Sequence, residues 1–294
     1  MEIIPFDKRP GYIWQNGKII PWQDATTHIL NHGLHYASCV FEGERIYDKK
    51  IFKITEHSTR LHKSAEILGF KIPYSIEELD QYKKEIAAKQ DIVDGYMRAF
   101  AWRGSEKMAI SAQNNTIHVA IACWPWPPYY SEEARKKGLK LKFAKYRRPD
   151  PATAPIKAKA AGLYMICTIS KHEAEAEGYN DALMLDYRGY LSEATGANLF
   201  LVMKNDELHT PTPDCFLNGI TRQTIIEIAK NKNIKVVERH ILPEELEDAK
   251  DVFLTGSAAE ITRVGSIDNK YSYPEVSEIT LDLMAEYKSL VYRK

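Results

Sequence analysis

The stretch Trp124-Pro125-Trp126-Pro127-Pro128-Tyr129-Tyr130 puts three prolines within four residues. Proline has no backbone N–H and a fixed φ, so such a run can neither continue a helix nor lie inside a central strand. It divides the 294 residues into two parts: a first domain over 1–123, a connecting loop over 124–136 and a second domain over 137–294. At about 150 residues per domain, the length suits two domains. Ligand clefts often form at such junctions.

The pattern on both sides is α+β. In Gly11–Trp22, Asn16-Gly17 is the signal for a tight hairpin. Phe41–Ile54 repeats the form across Asp48-Lys49-Lys50. A helix follows, with Thr55 as N-cap, Leu61, Ala65 and Leu68 at helical spacing, and Gly69 as C-cap. Ser75 and Glu78 form a capping box for a second helix. Thr116–Trp124 is a buried-type strand. Beyond the prolines, Gly138–Arg148 is a strand and Leu163–Gly178 a helix. Asp181–Val202 is a pair of strands turning at Tyr187-Arg188-Gly189. Thr221–Asn233 is a helix, Ile234–Ile241 and Asp251–Gly256 are strands, and Pro274–Tyr292 holds a last helix.

Charge removes several functions. Lys plus Arg and Asp plus Glu number 40 each, without the basic excess that nucleic acid or an anionic membrane requires. No apolar run approaches the ~18 residues that span a bilayer. MEIIPFDKRP lacks the basic-then-apolar form of a signal peptide, so a cytoplasmic location is expected. Cys39, Cys123, Cys167 and Cys215 contain no C-x-x-C pair and read as free thiols. His28, His32 and His35, with Cys39 beyond, have a metal-like spacing, but Gly33 interrupts the run and no H-E-x-x-H accompanies it, so no metal is expected. No dinucleotide, P-loop or nucleophile-elbow motif is present.

The chemistry lies between Ala158 and Ala259. Lys157 and Lys159 stand near small residues, where a planar aldehyde could approach an amine to form an imine. Glu193 ends a strand and could sit under a ring nitrogen. The turn Leu217–Arg222 opens a helix, and Thr255–Ala259 follows a strand; both offer free N–H groups to a phosphate. An amine, a carboxylate and two phosphate-ready turns are together the requirements of pyridoxal 5′-phosphate.

The motif E-x-T-x-x-N-L-F from Glu193, then Leu208 and Thr210, then L-x-G-I-x-R ending at Arg222, resembles the signature of class-IV aminotransferases, the fold-type IV pyridoxal phosphate enzymes. HYASCVFEG, EHSTRLHKSA, GYMR, AKAAGLY, GITR and TGSAAEIT extend the likeness to bacterial branched-chain amino acid aminotransferases. The resemblance implies a small N-terminal α/β domain and a larger mixed domain with a barrel-like core. It also implies transamination of leucine, isoleucine and valine with 2-oxoglutarate. By it, Lys159 is the imine-forming lysine, Glu193 the ring-nitrogen partner and Tyr164 the partner of the cofactor's phenolic oxygen. Arg60, Ile220, Thr221 and Ser257 hold the phosphate, and Leu217 packs on the ring. Tyr36, Phe41 and Gly43 line the side-chain pocket, with Tyr96, Arg98, Trp126 and Tyr129 near the substrate carboxylate and the connecting loop. Ser257 and Ala258 offer N–H groups to the carboxylate. The resemblance further implies at least a homodimer and leaves a hexamer open. Sibling activities are a D-amino acid transaminase, an (R)-amine transaminase and an aminodeoxychorismate lyase. Departures from the family pattern are Met97-Arg98-Ala99-Phe100, Ala161, Leu163, the Gly256-Ser257 turn, and the charged Arg103–Met108 stretch; they bear on substrate range.

Overall fold

Asn16 and Gly17, at φ of 49° and 86°, close the first hairpin. Such angles suit the primed turns that match the twist of the flanking strands. The structure, a computed structural model, describes residues 4–126, 130 and 137–292. The chain forms two compact units, one of Met1–Pro127 with Ala158–Gly162 and the other of Pro128–Lys157 with Leu163–Lys294.

The first unit holds strands β1 (Tyr12–Gln15), β2 (Lys18–Pro21), β3 (Cys39–Phe41), β4 (Glu44–Tyr47), β5 (Lys50–Ile51), β6 (Gly95–Arg103) and β7 (Ile117–Pro125). Its helices are α1 (His32–Tyr36), α2 (Ile54–Ile67) and α3 (Ile76–Lys89). The sheet runs β2-β1-β7-β6-β4-β5, with β3 also on β6. Alternation along β6 decides the layering. Met97, Ala99 and Ala101 are fully buried against Leu61, Leu79 and Ile86 of α2 and α3. The pleat turns Tyr96, Arg98, Phe100 and Trp102 to the opposite face.

Several expectations change. The Asp48 turn has two residues, Asp48 and Lys49, and Lys50 already pairs with Tyr47. Thr55 does not cap α2; its hydroxyl donates to Asp80 Oδ2 at 2.6 Å, and Lys53 occupies the cap position. Gly69 ends the helix at φ 71°, and Ser75 with Glu78 makes the expected capping box. β7 continues through Trp124 to Pro125. Proline is tolerated there because it is the last residue, opposite Gly95, while neighbouring β1 reaches only as far as Ile121.

The second unit holds β8 (Leu139–Phe143), β9 (Asp181–Leu185), β10 (Leu191–Ala194), β11 (Asn198–Met203), β12 (Leu208–Pro211), β13 (Val236–Arg239), β14 (Ala249–Gly256), β15 (Glu260–Ile267) and β16 (Tyr271–Ser272). Its helices are α4 (Met165–Ala176), α5 (Ile220–Asn231) and α6 (Glu278–Val291). β8 stops at Phe143, short of the sequence expectation. Asp181–Val202 contains three strands rather than two, because a second turn falls at 195–197, where Ala194 N donates to Ala197 O. β15 is a strand that the sequence reading did not find. These two strands matter, since β10-β9-β8-β15-β14-β11 closes on itself through a β10–β11 pairing. The result is the expected barrel-like core, a closed six-stranded barrel filled by residues such as Leu141, Leu183, Leu199, Leu254 and Val264. Among the described residues, no helix is long and apolar enough to cross a membrane.

Candidate active site

In the first unit, Lys159 is fixed by its backbone. Its N–H donates to Ser64 Oγ at 2.9 Å and its carbonyl accepts from Phe41 N at 3.1 Å. Its ammonium lies 4.9 Å from the Phe41 ring centroid. Burial, reinforced by the Arg60 charge and partly offset by Glu42, holds its pKa down at about 8. Lys157, the alternative on composition, is exposed. An amine that loses its proton near neutrality is what imine chemistry and proton transfer need.

Arg60 does not stand alone. Glu42, fully buried, accepts from Arg60 Nε and Nη2 at 2.7 Å each and from His57 Nδ1 at 2.6 Å. Burial opposes the carboxylate charge, but Arg60 and His57 outweigh it and hold Glu42 well below the usual carboxylate range. Glu42 and His57 escaped the sequence reading. The signal was there: His57 and Arg60 lie three apart on α2 and share a face.

Phe41, Tyr96, Arg98 and Trp126 gather on the same unit. Arg98 lies 4.5 Å above the Phe41 ring and donates to Tyr96 OH at 3.2 Å. Tyr96 packs on Trp126 at 5.1 Å. A Cβ on Gly43 would fall 2.0 Å from Tyr96 OH, so only glycine lets that phenol approach the strand. Tyr36 instead stacks on His32 at 4.6 Å and is 46% exposed. Tyr129 lies outside the described residues. The charged 103–108 stretch is held from within: Arg103 donates to Ala112 O and Gly69 O at 3.1 and 2.7 Å. His32 uses both ring nitrogens on Ser38 Oγ and Ala109 O. Among the described residues, the one cluster with metal-ligand spacing is Asp186, Asp214 and Cys215, where the Arg188 guanidinium already bridges both carboxylates. All four cysteines are free thiols, and burial pushes each pKa up to about 11 or 12.

In the second unit, strand register brings the remaining groups to one end of the barrel. Glu193 pairs with Asn198, and Asn198 with Thr255, two residues before Ser257. Glu193 is 8% exposed; its Oε2 accepts from Asn198 Nδ2 at 3.1 Å and its Oε1 lies 3.4 Å from Arg148 Nε. Both partners favour the anion. Asn198 also reaches Leu217 O at 3.0 Å and Gly219 N at 3.1 Å, drawing in the turn before α5. α5 begins at Ile220 with Gly219 as N-cap and no side-chain cap, which leaves first-turn N–H groups for an anion beside Ile220 and Thr221. Ser257 and Ala258 form the half-buried turn between β14 and β15. Tyr164 is half-buried immediately before α4. Arg222, 1% exposed, locks this end by donating to Thr210 Oγ1, Asn218 Oδ1, Pro211 O and Glu238 Oε2.

The first unit thus holds an amine of lowered pKa, and the second a buried, paired carboxylate and a helix start without a side-chain cap. The model for "Amino-transferase class IV" matches residues 39–267. The chain belongs to the class-IV aminotransferase family. Among similar proteins, a probable branched-chain-amino-acid aminotransferase of Rickettsia conorii is 41% identical over 293 residues, covering 99% of each chain. The Escherichia coli branched-chain amino acid aminotransferase structure superposes with a TM-score of 0.92 at 36% identity, covering 96% of this chain and 95% of that one. The branched-chain amino acid aminotransferase from Thermobaculum terrenum, solved in its PLP-form, gives 0.87 at 29% identity, covering 96% and 94%. The class-IV aminotransferase signature now has a physical reading. Its Glu193 and Asn198 bond each other, and Arg222 bonds Thr210.

Proposed function

We propose that the chain transaminates leucine, isoleucine and valine with pyridoxal 5′-phosphate, passing the amino group to 2-oxoglutarate. The observation that carries this is Lys159, its amine held near a pKa of 8 in a class-IV aminotransferase chain. The printed names of similar proteins support the substrate class.

Lys159 would hold the cofactor's aldehyde carbon, Glu193 its ring nitrogen, Tyr164 its phenolic oxygen and Leu217 its ring face. Arg60, Ile220, Thr221 and Ser257 would hold the phosphate. The donor set fits: the carboxylate near the barrel end is buried and bonded by Asn198 beside Arg148, and the helix start before Thr221 has no side-chain cap. When bound, pyridoxal phosphate supplies an aldehyde for the substrate amine and a protonated ring that accepts electrons. Lys159 Nζ, its pKa held down at about 8, would accept the proton from the substrate's Cα and return one to the adjacent carbon. Glu193, bonded by Asn198 and beside Arg148, would face the ring nitrogen. By the family resemblance, Tyr36, Phe41, Gly43, Tyr96, Trp126 and Tyr129 would line the pocket for an aliphatic side chain, and Arg98 and the Ala258 N–H would meet the carboxylate. Apolar burial separates near neighbours by only ~1–3 kcal/mol per methylene, so all three amino acids are accepted.

The reading includes at least a homodimer, a cytoplasmic location and the division 1–123, 124–136 and 137–294. Exposed Ile29, Leu34 and Ile110, at 73%, 69% and 88%, supply apolar surface for a second copy. Incubation with L-leucine or D-alanine, each with 2-oxoglutarate, tests the substrate. The expected result is L-glutamate from leucine at least tenfold faster. Faster turnover of D-alanine would refute the branched-chain reading in favour of a D-amino acid enzyme.

A further inference from the structure

Asn198 is 4% exposed, and three hydrogen bonds engage its amide. Both Nδ2 hydrogens are used, one on Glu193 Oε2 at 3.1 Å and one on Leu217 O at 3.0 Å. Oδ1 accepts from Gly219 N at 3.1 Å. These partners fix the amide's orientation, because a flip would set oxygen against a carboxylate and a carbonyl. Gly219 is matched to it: a Cβ there would lie 2.2 Å from Asn198 Oδ1. Neither neighbouring residue type would do the same work. Aspartate would put a second carboxylate against Glu193, and leucine would leave three buried partners unbonded.

We infer that Asn198 is a positioning residue that ties the ring-nitrogen carboxylate Glu193 to the Leu217–Gly219 turn at the phosphate-binding start of α5. The two holds on the cofactor are thereby set in one register before it binds. This rests on the pyridoxal phosphate reading. A bound ring is gripped at its nitrogen and, through its phosphate, at the helix start. If the turn drifts from Glu193, one grip must loosen for the other to close.

The test uses the full-length apoprotein of the wild type, Asn198→Leu and Asn198→Asp, with folding checked by circular dichroism. Cofactor affinity is measured by titration with pyridoxal 5′-phosphate, and the visible absorbance of the bound cofactor is titrated against pH. Asn198→Leu should weaken affinity by about tenfold or more, the scale of losing a hydrogen bond to a charged group. Asn198→Asp should move the absorbance midpoint by about 0.5 pH unit or more, because its charge falls beside the ring-nitrogen partner. A residue with only a structural role would change the melting temperature and neither of these. If Asn198→Leu does not fold, Asn198→Ser gives the same two readouts. Affinity within twofold of wild type, with an unmoved midpoint, overturns the inference while leaving the cofactor reading intact. A wild-type chain that takes up no cofactor overturns that reading and this inference together.

Discussion

Replacing Glu42 with glutamine tests whether the buried cluster of the first unit is held by charge. Three N–H donors converge on two oxygens at 2.6–2.7 Å, with the Glu42 side chain fully buried and those of His57 and Arg60 at 2% and 16% exposure. Glutamine turns one oxygen into an NH2 group that faces a donor, and it removes the charge that Arg60 Nε and Nη2 bond. Breaking a buried pair from one side costs about 3–5 kcal/mol. At about 2 °C per kcal/mol for a chain of this size, the melting temperature at pH 7 should fall by roughly 6–10 °C. The sign with pH follows from Glu42's depressed pKa. Its contribution is complete above the unfolded carboxylate value of about 4.3 and is lost as pH falls below that toward the folded value. The gap between wild type and variant should therefore hold constant from pH 8 to 6 and narrow below about pH 4. Thermal melts followed by circular dichroism read both quantities. A drop under 2 °C at pH 7, or a gap that widens in acid, would refute the reasoning.

Two further outcomes follow from single contacts. Lys159 is held at about 8 against an ordinary 10.5, so keeping it charged at pH 7 costs the apoprotein roughly 3 kcal/mol. Lys159→Met should thus melt several degrees higher at pH 7 while losing all turnover, and the gain should vanish above pH 10.5, where the unfolded lysine is neutral too; an unchanged or lower melting point at pH 7 contradicts the burial of that amine. Gly43→Ala places a methyl 2.0 Å from Tyr96 OH and must displace the phenol that Arg98 holds. Its kcat/KM for leucine should fall by about tenfold or more with little loss of stability, and wild-type kinetics would show that Tyr96 is not part of the pocket.

Where local chemistry was strong, the sequence was enough. Asn16-Gly17 declared a hairpin, Ser75 and Glu78 a capping box, and Gly69 a helix end. Where tertiary partners decide, it was not. Thr55 looks like a cap until Asp80, distant in sequence, takes its hydroxyl. The turn at 195–197 carries Gly196 after Thr195, with Asn198 just beyond, a local break that a reading of Asp181–Val202 as two strands passes over; it creates β10 and β11, and only their pairing across the sheet closes the barrel. Lys159 and Lys157 are alike in composition; the resemblance picks out Lys159, and burial with Arg60 supplies the physical difference. Glu42, His57 and Asn198 act through bonds to other residues: the spacing of His57 and Arg60 and the motif asparagine mark positions, but their partners appear only in the fold. In the charged 103–108 stretch, Arg103 braces the carbonyls of Gly69 and Ala112, a role set by partners distant in the chain.

The central claim is that the Lys159 side-chain nitrogen carries the cofactor. Reducing the purified chain with borohydride in the presence of pyridoxal 5′-phosphate, then mapping the labelled peptide by mass spectrometry, tests it directly. The account predicts one phosphopyridoxyl group per chain, on Lys159, with no label there in Lys159→Ala. Label on Lys157 or elsewhere at equal stoichiometry, or none at all, would contradict it.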